Sequence, residues 1–209
     1  ADGGAVQDAL QQAIGSFCGE VVTAYGAGRT DSGVHARGQV AHIDLETAPA
    51  PDRVRDGLNF HLRPAPVAVI TAHYARADFD ARFSALARRY RYRIISQRAP
   101  VVLDRMQAWW VPQSLDIEAM RAASKYLLGN HDFTTFRASQ CQANSPIRTL
   151  DALDVSAGDA GIDITARARS FLHSQVRSMA GALKLVGQGK WQPEDLRHAL
   201  EAADRRACA

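Results

Sequence analysis

Lysine is scarce in this 209-residue chain. Lys125, Lys184 and Lys190 are three of 25 basic residues, and the other 22 are arginine. Arginine presents a planar fork of donors that matches phosphate, and its face stacks on a base; genome base composition alone also raises arginine over lysine. Cysteine is sparse too: Cys18, Cys141 and Cys208 form no CxxC pair and no Cys/His cluster. That excludes a disulfide scaffold and a cysteine-based metal site, and fits free thiols in a reducing compartment. Long apolar runs are missing, because Gly, Arg or His breaks each one, so no membrane span is expected. The first residues lack a basic segment followed by an apolar one, which leaves a cytoplasmic protein as the expectation. What remains is ordinary for a folded protein, 46% hydrophobic and 22% charged with a net charge of +3. Such a chain forms one large domain or two small ones.

Periodicity predicts a helix over Ala5–Phe17, with Val6, Leu10, Ile14 and Phe17 on one face. Val21–Tyr25 and Gln39–Leu45 read as strands around a glycine-rich loop. Pro51 opens a helix that Pro64 stops. Val67–His73 is apolar and β-branched and reads as a strand. Ala87–Ser96 alternates Arg89, Arg91 and Arg93 with Tyr90, Tyr92 and Ile94, again a strand. Trp109–Val111 reads as a short strand and Asp116–Leu128 as a helix, capped by Ser114 or Asp116 and ended by Gly129. His131–Pro146 reads as a loop. Thr149–Ser156 and Gly161–Ala168 form a hairpin around Gly158-Asp159. Phe171–Val186 is helical, and Pro193 opens a last helix through Glu201, extending toward Arg206. The order of elements predicts an α+β architecture with antiparallel sheet. The halves divide near residues 96–114, and we take 1–98 and 99–209 as the two domains.

The sharpest segment is Gly28-Arg29-Thr30-Asp31-Ser32-Gly33-Val34-His35-Ala36, between two predicted strands. Its glycines allow tight turns and close approach of a ligand. A loop held by strands is a common seat for catalytic groups. The plainer alternative is a polar turn with an Arg29–Asp31 ion pair. A phosphate-binding loop is excluded, since no Gly-Lys-Ser/Thr occurs and a strand rather than a helix follows. A dinucleotide fingerprint fails on spacing.

The stretch Ala27–Val40, AGRTDSGVHARGQV, resembles the signature of the tRNA pseudouridine synthase A family. Val54–Phe60 (VRDGLNF), Asp80–Ala85 with Arg88–Tyr92, His131–Phe136 (HDFTTF) and Phe171–Arg177 (FLHSQVR) resemble its further motifs in order. The resemblance covers nearly the whole chain. Family members open with a strand bearing Tyr-Asp-Gly and Gly-Trp-Gln and close with an apolar strand. Neither lies in these residues, so edge strands at both ends are expected to be missing. The resemblance implies two similar ferredoxin-like, RRM-like halves, their antiparallel sheets joined side by side with a cleft between them. It also implies a homodimer acting on the tRNA anticodon stem-loop at uridines 38, 39 and 40, without metal or organic cofactor.

By the same resemblance Asp31 is the catalytic carboxylate, Arg177 its cationic partner and Tyr90 the aromatic that stacks on the target uracil. Pseudouridine formation breaks C1′–N1 and makes C1′–C5. It needs an ionised carboxylate, whether that group attacks C1′, attacks C6 or removes the 2′ proton. The target base must also leave the stack. Phe171, Val176 and Met179 around Arg177 predict a largely buried helix. Arg29, His35, Arg37, Arg82, Arg88, Arg137 and His173 are the expected RNA contacts, with Arg89, Arg91 and Arg93 as further candidates. Three other readings compete. One is a non-catalytic RNA-binding module, which would not need Asp31, Arg177 and Tyr90 together. The second is a hydrolase or lyase pairing Asp31 with His35, which needs His35 within reach of the carboxylate or of a substrate proton. The third is a pseudouridine synthase of different RNA specificity.

Overall fold

The computed structural model describes residues 5–158 and 161–208. The chain forms two compact units. One runs up to Thr30 and over Ala36–Ala85; the other comprises Asp31–His35 and the described residues from Leu86 onward.

The first unit contains helix α1 (Val6–Cys18), strands β1 (Tyr25–Gly26) and β2 (Ala41–His42), and helix α2 (Pro51–His61). Its core is small: Ala13 and Ile14 of α1 bury against Leu58 and Leu62, with Ala24 alongside and Phe17, Val54, Val67 and Val69 partly buried around them. The predicted strands are shorter than the apolar pattern suggests. β1 and β2 pair antiparallel over Tyr25↔His42 and Gly26↔Ala41 only. Val67–His73 forms no strand. Side chains take some of the backbone groups in and beside these segments that a ladder would use. The Gln11 amide oxygen accepts from Ala24 N–H, and the Glu20 carboxylate accepts from Glu46 and Thr47 N–H. The Asn59 amide clasps both the N–H and the carbonyl of Val69, each at 2.8 Å. Asn59 thus imitates a neighbouring strand for one residue.

The second unit is a five-stranded sheet in the order β4-β3-β7-β6-β5. Its strands are β3 (Arg88–Ser96), β4 (Trp109–Val111), β5 (Gly129–Asp132), β6 (Ile147–Gly158) and β7 (Gly161–Ala168). β3 runs parallel to β4, and the other neighbours are antiparallel. Strand β3, which the sequence groups with the first half, pairs here with β7 along seven residues, from Arg88↔Ala168 to Ile94↔Ile162. Helices α3 (Ile117–Ser124), α4 (Gln175–Gly187) and α5 (Pro193–Glu201) complete the unit. Met120, Met179, Leu183 and Leu196 on the helices and Ile94, Leu150 and Ile164 on the strands form a contiguous core. The turn predicted around Gly158-Asp159 falls partly outside the described residues.

Three boundaries differ from the sequence reading. Residues 131–132 are not loop: they belong to β5, where His131 faces Arg148 and Asp132 faces Ile147. The helix after Asp116 tightens into a 3₁₀ turn at Lys125–Leu127, with Asp116 capping through Ala119 N–H. α4 begins at Gln175, not at Phe171. Gln175 is buried, its side-chain oxygen accepts from Leu172 N–H at 2.8 Å, and its own N–H donates to the Leu172 carbonyl. These two bonds hold residues 172–175 in a turn ahead of the helix.

Candidate active site

Asp31–His35 forms a turn that packs with the second unit. Val34 N–H donates to the Asp31 carbonyl at 3.0 Å, and Gly33 has φ +80, a left-handed conformation that glycine adopts without steric cost. His35 Nε2 lies 3.1 Å from the Met106 carbonyl oxygen. The only proton available for that bond is on the imidazole, so Nε2 donates, and His35 tethers the turn to the 100–106 segment. A hydrolase or lyase pairing Asp31 with His35 loses its support, because the ring nitrogen that makes a contact is used on a backbone carbonyl.

The Asp31 carboxylate meets side chains from the start of α4. The Arg177 guanidinium is 3.2 Å from Oδ2, and Ser174 Oγ is 3.5 Å from the same oxygen. His173 Nε2 lies 3.2 Å from the other oxygen, Oδ1. The carboxylate therefore faces a helix N-terminus, where the aligned peptide dipoles favour negative charge. Ser174 occupies the N-cap position with φ 59 and ψ 9 and makes no capping bond to its own helix. A left-handed non-glycine residue costs about 1–2 kcal/mol. The fixed turn of residues 172–175 holds it there and directs its hydroxyl toward Asp31. The pair is more open than the apolar neighbours of Arg177 suggest: its side chain is 54% exposed and that of Asp31 34%. The apolar residues face the core while the arginine emerges at the helix start.

Tyr90 stands on β3, its ring edge-on to Phe171 with centroids 5.1 Å apart. It shares that strand face with Tyr92, which packs edge-on against Trp109. Burial pushes the Tyr92 hydroxyl above its ordinary pKa, and the nearby positive charge of Arg177 pulls the other way. Tyr90 and Arg177 thus flank the same short turn, Phe171–Ser174. Arg88 donates to the Arg169 carbonyl. Arg137 follows a 3₁₀ turn, and its neighbour Ala138 donates to the His173 carbonyl at 2.9 Å. Arg91 and Arg93, on the opposite face of β3, share Asp163 at 3.6 and 3.2 Å. Arg29, Arg37 and Arg82 belong to the first unit and are exposed. The Arg82 guanidinium lies over the Phe83 ring.

Ser174 is the site member that sequence reasoning passed over. A serine immediately before a helical run is an N-cap signal, but a helix drawn from Phe171 hides it. Among the described residues no group of three His, Cys, Asp or Glu side chains is arranged to hold a metal ion. No helix among them is long and apolar enough to cross a membrane.

Comparison with known proteins places this chain in a family. Residues 123–209 match the family model described as tRNA pseudouridine synthase. The tRNA pseudouridine synthase A of Paramagnetospirillum magneticum is 57% identical over 200 residues, 96% of this chain and 78% of that protein. Those of Sinorhizobium fredii and Mesorhizobium japonicum are 56% and 57% identical over 209 and 210 residues, each aligned over 85% of its own length and 99% or more of this chain. Identity at this level along almost the entire sequence decides the matter, and the chain belongs to the tRNA pseudouridine synthase A family.

Proposed function

We propose that this protein isomerises uridine to pseudouridine in tRNA, at positions 38, 39 and 40 of the anticodon stem-loop, working as a cytoplasmic homodimer. Family membership supports the reaction and the tRNA substrate. The positions and the dimer follow from the resemblance alone, and the compartment is the expectation read from the sequence pattern. The observation that carries the reading is the Asp31 carboxylate held by Arg177 at 3.2 Å in a chain of this family.

The reaction detaches uracil from C1′, turns it and rejoins it through C5; the hydrogen on C5 is lost and N1 gains one. Asp31 supplies the anionic oxygen for the first step. Arg177 favours that anion and orients it by a charge-assisted bond. Tyr90, braced by Phe171, offers its ring face to the flipped uracil. Arg88 and Arg137 of the second unit, and separately Arg29, Arg37 and Arg82 of the first, are the proposed contacts to RNA phosphates. His35 serves the site by fixing the Asp31 turn through Met106.

The test is to incubate unmodified tRNA with the protein, label pseudouridine chemically because the isomerisation leaves mass unchanged, and map it by mass spectrometry. New pseudouridine at 38–40 is expected. Product confined to other positions would overturn the specificity, and no product from tRNA-binding protein would overturn the activity.

A further inference from the structure

The two oxygens of Asp31 have different partners. Arg177 and Ser174 both approach Oδ2, while His173 Nε2 approaches Oδ1 at 3.2 Å. We propose that His173 is a positioning residue for the reaction: its Nε2–H fixes the plane of the Asp31 carboxylate and leaves the second lone pair of Oδ1 for the substrate. This rests on the isomerase reading above.

The need for a second donor follows from the torsion. Rotation of an aspartate carboxylate about its last bond is broad and roughly two-fold, with no sharp staggered well. Donors on Oδ2 alone leave the plane free to swing around that oxygen, whereas a donor on each oxygen locks it. Whichever first step the carboxylate takes, only one oxygen takes part, and its direction must be set to within a fraction of an ångström. An ionised oxygen accepts at two sites, so Oδ1 can hold the imidazole N–H and still face the ribose or the base.

The imidazole is aimed by the protein and not left to find RNA. Its backbone carbonyl is held by Ala138 N–H at 2.9 Å. Leu172 before it is buried, and Ser174 after it is in the left-handed conformation. Gln175, itself buried, ties the turn together through Leu172. A side chain meant only to follow a flexible phosphate backbone has no use for such a mount.

The contact through Nε2 yields a specific test. Glutamine carries its terminal amide nitrogen at about the reach of Nε2, whereas the asparagine amide reaches only as far as Nδ1. Tritium released from tRNA labelled at uridine C5 reports turnover, because that hydrogen is lost when the new bond forms. In His173→Ala and His173→Asn, kcat is expected to fall about tenfold with KM within about twofold of wild type, the loss of one hydrogen bond to a charged group. His173→Gln is expected to recover most of the rate. Wild-type kcat in His173→Ala, a loss confined to KM, or no advantage of glutamine over asparagine would each overturn the proposal; a loss confined to KM would make His173 an RNA contact. Nitrogen NMR of the imidazole separates this from the isomerase reading. Nε2–H is expected, with a resonance that moves in Asp31→Asn, and an Nδ1–H tautomer would contradict the proposal even in an active enzyme. No tritium release from wild type, with that resonance behaving as expected, would instead count against the isomerase reading.

Discussion

Replacing Arg177 by alanine separates catalysis from folding. The guanidinium is 3.2 Å from Asp31 Oδ2, with side chains 54% and 34% exposed. A pair this open contributes less than about 1 kcal/mol to folding, because water screens it and two side chains must be ordered. For a protein of this size such a loss lowers Tm by at most about 4 °C. A buried pair would behave otherwise, since stranding one charge in a core costs about 3–5 kcal/mol. In the reaction the bond does more, because it favours and orients the carboxylate that must act. A hydrogen bond to a charged group is worth about 1.5–3 kcal/mol, which corresponds to a kcat between about ten and about a hundred times lower. Thermal unfolding followed by circular dichroism gives the first quantity, and tritium release under saturating tRNA gives the second. A large drop in Tm with a rate that falls only as the folded fraction falls would refute the argument, as would wild-type kcat.

Other outcomes follow from single contacts. Asn59→Ala removes both bonds to Val69 and is expected to cost about 1–3 kcal/mol in urea unfolding, with two backbone groups left partly buried. Gly161→Ala would drive a methyl group into the Ile94 carbonyl oxygen across β3 and β7; overpacking of this kind costs about 1–3 kcal/mol, and an unchanged urea midpoint would contradict the register. Asp80 accepts from Phe83 and Arg82 N–H, and the Phe83 bond leads in holding its pKa below the usual 3.8. A lowered carboxylate stabilises the fold above pH 3.8, and that contribution is lost as pH falls through the lowered value. Asp80→Asn is therefore expected to be less stable than wild type at neutral pH, with the gap closing in acid.

Much of the second unit can be read from periodicity. β3 follows the alternation of arginine with Tyr90, Tyr92 and Ile94, and β6 and β7 follow the hairpin pattern. Side chains that bond to backbone obscure the rest. Gln11 and Asn59 take donors that apolar patterning assigns to strands, and Gln175 delays α4 by four residues. None of these bonds has a signature in hydrophobic spacing. Asp31 and Arg177 could be paired only through family resemblance, because 146 residues separate them. The exposure of that pair was not legible, since Val176 and Met179 report the inward face of α4 and not its first turn. His173 on Oδ1 and Ser174 in the left-handed conformation emerge from a turn whose geometry depends on Gln175.

The measurement closest to the central claim compares wild type with Asp31→Asn on tRNA labelled with tritium at uridine C5, alongside binding of the same tRNA. Asparagine keeps the size of the side chain and removes the anionic oxygen. Tritium release and new pseudouridine are expected from wild type and not from the variant, with tRNA affinity within about threefold, a difference of less than about 1 kcal/mol. Turnover by Asp31→Asn at a rate near that of wild type would contradict that claim.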